Sequence, residues 1–258
     1  MAALNNLERF SVLLLSAGCG SRLGKLGRKN PKSLLKINSE TILSRIANYL
    51  VSNGLKELNI VVGYKYKKIL KELSQFRELK INYIKIKDYK NNGSSYSWFK
   101  FKNLWNKKKK PLLMMHTDLV FDKKYLDNIL KSKINNIIGV KKANKSKLKE
   151  KSFVAQVNKK MKINSIEFNE KTSKPYGELI CINKFSIEIT GKIFKFMSDY
   201  FKSHGTSLTW EFIINDFIKD NKNKVYTLKN QIYKWVNVNT NNDLILAKKL
   251  FKKNKNLK

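Results

Sequence analysis

The residues most suited to chemistry in this sequence are those that handle polyphosphate. Gly18-Cys19-Gly20-Ser21-Arg22 follows an apolar run, residues 11–15, across Ser16 and Ala17, and Lys32 comes ten residues after Arg22 within Pro31-Lys32-Ser33-Leu34-Leu35. Glycines let a backbone approach phosphate oxygens, and successive N–H groups can cradle them. Arg22 can grip two such oxygens at once, and Lys32 offers a mobile point charge for the oxygens of an attacked phosphorus. Asp118 stands just past a second apolar run, residues 112–115. Two rival phosphate motifs fit poorly. The Walker pattern needs Gly-Lys-Ser/Thr opening a helix, and the dinucleotide fingerprint needs a third glycine near Leu23. Each residue also has a bland explanation. Lys32 is one lysine among many, Asp118 could cap a turn, and Gly93-Ser94 could simply open a helix with Ser94 or Ser95 as N-cap.

Strands and helices must alternate to bring these residues together. Residues 11–15 read as a central strand buried on both faces, ending in the glycine-rich loop 16–23. Ser39 is placed to cap a helix with apolar positions at Ile42, Leu43, Ile46, Leu50 and Val51, closed by Gly54. A strand at 58–62, a lysine-rich helix to 76, a strand at 81–86, a helix from 94 to 105 and a strand at 112–115 follow. This repeat predicts a doubly wound, mostly parallel sheet that binds ligands at the carboxyl ends of its strands, where the glycine loop and Asp118 both lie. In the second half, 153–157 and 163–168 flank Asn158-Lys159-Lys160 as a hairpin. A strand at 177–182, helices at 187–201 and 208–218, strands at 225–228 and 232–238, and a helix from 243 complete the pattern. The expectation is a single α/β domain, residues 1–251, with a small β insert, and a basic tail, residues 252–258, expected to be disordered.

Four segments, in order, resemble the nucleotidyltransferases that activate sugar phosphates and phosphocholine. Leu14-Leu15-Ser16-Ala17-Gly18-x-Gly20-x-Arg22-Leu23-Gly24, followed by Pro31-Lys32-x-Leu34-Leu35, is similar to their signature loop. Asn91-Asn92-Gly93-Ser94-Ser95-Tyr96-Ser97 resembles the segment that reads the base, and Thr117-Asp118-Leu119 the metal-binding aspartate. Trp235-Val-Asn237-Val-Asn239-Thr240, with Asp243-Leu244 and Ala247, resembles the late acidic segment, although Asn237 and Asn239 stand where Glu and Asp are usual. An amide oxygen is still a hard donor. Pro-Lys-Ser-Leu-Leu, Thr-Asp-Leu-Val-Phe and Tyr176-Gly-Glu178-Leu-Ile lean towards the phosphocholine and 2-aminoethylphosphonate cytidylyltransferases. The resemblance implies a Rossmann-like mixed sheet of the nucleotide-diphospho-sugar transferase type. It also implies magnesium-dependent transfer of CMP from CTP to a small phosphate or phosphonate acceptor, releasing pyrophosphate. Arg22 and Lys32 would then be catalytic, and Asp118 with Asn239 would hold Mg2+. Ser16, Ala17, Gly18, Gly20, Ser21, Asn92, Gly93 and Ser94 would bind nucleotide. Tyr176, Glu178, Trp210 and Glu211 would bind the acceptor, with Trp98 as a further aromatic face for an ammonium group. A sugar-1-phosphate nucleotidyltransferase is the alternative within enzymes. A nucleotide- or nucleic-acid-binding protein without turnover is the alternative from another class.

Composition narrows these classes. The 258 residues carry a net charge of +35, with 54 basic against 19 acidic residues. Arginine occurs only at Arg9, Arg22, Arg28, Arg45 and Arg77. A dedicated nucleic-acid binder would use more arginine for bidentate contacts. Abundant Lys, Asn, Ile, Phe and Tyr instead fit an AT-rich coding bias, which disfavours nucleic acid as partner. The charge still attracts polyphosphates. Cys19 and Cys181 are far apart and form no CxxC, so a disulfide framework or zinc site is not expected and the reduced cytoplasm is the expected compartment. No run is long and apolar enough for membrane insertion, residues 1–10 lack a signal core, and a homo-oligomer stays open. His116 reads as a core histidine on an apolar strand.

Overall fold

The computed structural model describes residues 7–143, 148, 152–168, 175–219, 223–229 and 233–252. In chain order the first half contains β1 (Ser11–Ser16), α1 (Gly24–Lys29), β2 (Lys36–Ile37), β3 (Glu40–Thr41), α2 (Ile42–Ser52), β4 (Glu57–Val62), α3 (Tyr66–Leu73), β5 (Lys80–Lys85), α4 (Ser94–Phe99), α5 (Lys102–Lys108) and β6 (Leu112–His116). The second half contains β7 (Leu119–Phe121), α6 (Lys123–Lys131), β8 (Ile137–Lys142), β9 (Phe153–Val157), β10 (Ile163–Phe168), β11 (Gly177–Phe185), α7 (Ile187–His204), α8 (Trp210–Lys219), β12 (Trp235–Asn237) and α9 (Asn241–Leu250).

One eight-stranded sheet runs in the order β10-β9-β11-β6-β1-β4-β5, with β8 also paired to β11. β5, β4, β1 and β6 are parallel, and β11 pairs antiparallel with β6, β8 and β9. Every residue of β1 is buried, as its apolar run requires for a strand covered on both faces. Leu15 pairs with His116, so β1 and β6 end side by side at the carboxyl edge. β11 changes partners along its length. Its register shifts between Leu179 and Asn183, and Cys181, inside that irregularity, takes the left-handed conformation at φ 57°. The hairpin turn after β9 forms as expected: Asn158 Oδ1 accepts the backbone N–H groups of Lys160 and Lys162.

Several elements differ from expectation. Thr41, not Ser39, caps α2, its Oγ1 accepting the Ser44 N–H at 3.0 Å, because the β2–β3 hairpin carries the chain two residues further before the helix starts. The helix expected over 94–105 divides into α4 and α5. Phe101 N–H bonds to Trp98 O, three residues back, and this tightened turn keeps Trp98, Phe101 and Trp105 all in the core. Neither Ser94 nor Ser95 caps α4: Ser94 Oγ accepts the N–H of Trp210, and Ser95 Oγ donates to Leu208 O. Residues 225–228 form only bridges at Tyr226, to Ile137 and Lys162, rather than a strand. The strand expected over 232–238 is confined to β12, and residue 232 lies outside the described residues, as do 1–6 and 253–258 of the termini. Among the described residues no helix is long and apolar enough to cross a membrane.

Candidate active site

A cavity of about 270 Å³ opens at the carboxyl edge of β1 and β6. The loop after β1 forms one wall, with Ser16, Ala17, Gly18, Gly20, Ser21 and Arg22 along it. Gly20 is left-handed, at φ 64°, and a Cβ there would lie 2.7 Å from Lys32 Cγ. Glycine therefore serves both the turn and the passage of the lysine stem beside it. Pro31 leads into a 3-10 turn, Lys32–Leu34, which seats Lys32 opposite the loop. The buried Ser16 Oγ donates to Ser33 Oγ at 3.1 Å and ties the two segments together.

Three distant pieces of chain meet at the mouth. Lys32 Nζ lies 3.2 Å from Asp118 Oδ2 and 2.5 Å from Asn239 Oδ1, and Arg22 Nη2 donates to the same Asn239 oxygen at 2.9 Å. A two-stranded ladder, β7 with β12, sets this meeting. It pairs Asn237 with Leu119, and Val238 N–H donates to Asp118 O at 2.8 Å. A capping box then fixes Asn239: Thr240 Oγ1 accepts the Asp243 N–H, while Asp243 Oδ2 accepts the N–H groups of Asn239 and Thr240. Burial pushes the Asp118 carboxyl up, but the Lys32 ammonium, His116 and a backbone hydrogen bond together hold the group below its usual value. Asp118 Oδ1 is buried without a partner.

The opposite wall carries Tyr89, Asn92, Gly93, Ser94 and Ser97. Gly93 approaches residues 206–208 so closely that a Cβ would fall 1.9 Å from Leu208 O, which demands glycine on packing grounds alone. The Asn92 side chain is already engaged, donating to Asp88 O and accepting from Thr206 Oγ1, so its backbone and its neighbours face the cavity more freely than its amide. Tyr89, which sequence reasoning missed, packs against Gly63 and edge-on to Tyr64. Its only sequence signal is a place three residues before Asn92.

None of the four residues expected to hold an acceptor lines this cavity. Tyr176 and Glu178 are partly buried at the start of β11, and Trp210 and Glu211 open α8. Trp210 is fully buried, and its Nε1–H donates to His116 Nε2 at 3.0 Å. Trp98 is also fully buried and stacks on Phe185 with ring centroids 5.6 Å apart, so neither indole presents an open face. His116, satisfied by Trp210 as a core histidine would be, also borders the cavity.

Residues 11–254 match the family described as Nucleotidyl transferase, and the chain belongs to that family. Over 60 residues, 23% of this chain and 24% of the relative, it is 32% identical to a 2-aminoethylphosphonate cytidylyltransferase of Lancefieldella rimae. Over 74 residues, 28% of this chain and 33% of the relative, it is 35% identical to a D-glycero-alpha-D-manno-heptose 1-phosphate guanylyltransferase of Campylobacter jejuni. The chain thus spans about a quarter to a third of the length of these curated relatives. The solved CTP:phosphocholine cytidylyltransferase of Streptococcus pneumoniae shares the fold, with a TM-score of 0.72 at 16% identity, covering 95% of this chain and all of that one.

Proposed function

We propose that this nucleotidyl transferase passes CMP from CTP to an oxygen of a small phosphate or phosphonate acceptor, such as 2-aminoethylphosphonate or phosphocholine, and releases pyrophosphate. The carrying observation is the convergence of Arg22, Lys32, Asp118 and Asn239 at the mouth of a glycine-walled cavity. Such a set has no nucleophile and needs none, because in-line phosphoryl chemistry rests on positioning and charge stabilisation. In this reading Ser16, Ala17, Gly18, Gly20 and Ser21 hold the triphosphate through backbone and hydroxyl donors. Arg22 grips the departing β and γ phosphates, and Lys32 turns from Asp118 to neutralise charge growing at the α-phosphorus. Asn92, Gly93 and Ser94 border the base, with the Tyr89 ring beside them. Tyr176, Glu178 and Glu211 face the acceptor, and Trp210 holds His116 in place.

Asp118 and Asn239 fit a magnesium ion. Both turn oxygens towards a cation, here the Lys32 ammonium, and Asp118 keeps a second buried oxygen unpartnered. When bound, the metal would supply Lewis acidity and a template between the α-phosphate and the acceptor. The cytidylyl choice is supported by the short match to the phosphonate enzyme, and the sugar-1-phosphate alternative by the match to the heptose enzyme. An acceptor panel with CTP, UTP and GTP separates them by pyrophosphate release: CTP with a phosphate or phosphonate acceptor should exceed every sugar 1-phosphate pairing. Nucleotide binding without any magnesium-dependent release would instead mark a protein that has lost turnover.

A further inference from the structure

The opposite edge of the sheet, where β1 and β6 begin, holds a second cavity of about 860 Å³. It lies a strand's length from the glycine loop, roughly 15–20 Å away. Its charged lining is Arg9, Lys131, Lys133, Lys184 and Glu188. Glu188 is already engaged, since Lys192 Nζ donates to it at 2.6 Å. Among the described residues none of the four cations pairs with a carboxylate. Lys184 is the unusual member. It sits on β11, only 5% exposed, and its Nζ donates to a single carbonyl, Ser132 O, at 2.8 Å. Arg9, one of only five arginines, donates to Leu130 O at 3.1 Å. Burial first, and then the charge of Arg9, bring the Lys184 ammonium down to about 8.

Two carbonyls account for part of this arrangement. Leu130 O and Ser132 O lie at the C-terminal end of α6, and such an end carries about half a negative charge. α7, however, begins on the same wall with Ser186, Ile187 and Glu188, and a helix N-terminus carries about half a positive charge. The two helix ends offset each other, so the cations keep their whole charges uncompensated. Lys184 and Arg9 repel each other there, a costly state for a buried ammonium until an anion joins them. An ammonium has three N–H donors and a guanidinium five, which leaves most of them for the oxygens of a phosphate. Phe10, Pro111 and Ile187 add apolar surface beside the cations, and a bare phosphate would fill only a small part of the space. The lining therefore suits a phosphate carried on an organic body. None of these residues lines the glycine-loop cavity, so the site stands apart from the nucleotide reading.

We propose that this cavity binds a small organic phosphate, its dianion held by Lys184 and Arg9 and its body lying against Phe10, Pro111 and Ile187. The test is amide NMR of the whole chain, titrated with phenyl phosphate and, separately, with inorganic phosphate. Millimolar phenyl phosphate should shift the amides of Ser132, Ser186, Ile187 and Glu188. Inorganic phosphate should shift the same amides with at least about fivefold weaker affinity, because it lacks the apolar contact. Lys184→Gln keeps a donor for Ser132 O and should weaken phenyl phosphate at least about tenfold, the worth of one charge-assisted contact. Arg9→Gln, at an exposed position, should weaken it as well and serves as the second variant if the first fails to fold. Unmoved amides at 132 and 186–188 overturn the proposal, as does an affinity unchanged in both variants. Equal affinity for inorganic phosphate overturns the organic class. Shifts confined to Gly18 and Gly20 would place the phosphate in the glycine loop alone and overturn it too. The titration contains neither Mg2+ nor nucleotide, so a failure of the nucleotide reading leaves its result untouched.

Discussion

In the proposed reading, Lys32 sits with its ammonium where Asp118 and Asn239 would hold a metal ion. Its ammonium bridges Asp118 Oδ2 and Asn239 Oδ1, and both side chains of the Lys32–Asp118 pair are 17% exposed, so water screens them little. Removing it should therefore act in opposite directions. In Lys32→Ala, Mn2+ binding to the nucleotide-free protein, followed by electron paramagnetic resonance, should tighten about tenfold, the worth of one charge-assisted contact. Turnover of CTP should fall at least about 100-fold, as when a transition-state charge donor is lost. Weaker Mn2+ binding in the variant would contradict this arrangement. At this scale the sequence marks Lys32 and Asp118 by a proline before one and an apolar strand before the other, and the structure brings the two together. Asn239 carries no such mark, since asparagines occur throughout the chain. Tyr89 gave only the weak signal of its place before Asn92, as a tyrosine in a polar loop points to little until Gly63 is seen against it.

Elements bring the site together, and the shortest ones matter most. β7 and β12 are three residues each, yet their pairing places Asn239 against Asp118. Strands of that length carry no periodicity, which is why β7 escaped sequence analysis and residues 232–238 read as one longer strand. The α9 capping box was not read from the sequence: Thr240 and Asp243 stood there only within the late resembling segment, and the helix was expected from 243. Thr240→Ala should cost about 1 kcal/mol in urea unfolding, the usual worth of an N-cap. It should also raise the metal concentration needed for half-maximal activity, because Asn239 shares Asp243 Oδ2 with the cap. Gly93→Ala should destabilise by about 1–3 kcal/mol or more, since its Cβ meets the Leu208 carbonyl rather than a movable side-chain end. An unfolding midpoint equal to wild type in Gly93→Ala would show that the contact yields. Most long elements were foreseeable from alternation, but α6 and β8, between Asp118 and the hairpin at 153–168, were not read from the sequence. Ser39 misled because a hydroxyl before an apolar run signals a cap wherever it falls, and the β2–β3 hairpin intervenes.

Across the whole molecule, the alternation of strands and helices announced a doubly wound, mostly parallel sheet, and the sheet order bears that out. The double pairing of β11 left no trace in the sequence, because its shift comes from the left-handed Cys181 within an otherwise regular apolar run. The net charge of +35 acts at this scale too. Capture of a tetra-anionic nucleotide should be strongly salt-sensitive, so kcat/KM for CTP should fall several-fold, up to about tenfold, between 10 and 150 mM salt, roughly a fourfold shortening of the screening length. A salt-independent value would confine the charge to solubility. The central claim is that an acceptor oxygen attacks the α-phosphorus of a nucleoside triphosphate held between the glycine loop and Asp118. Phosphorus NMR of the protein with Mg2+, CTP and 2-aminoethylphosphonate tests it most directly. The account predicts equal growth of free pyrophosphate and of a coupled pair of signals from a new P–O–P linkage, both lost in Lys32→Ala; orthophosphate with CDP, or an unchanged CTP spectrum across every acceptor, would contradict it.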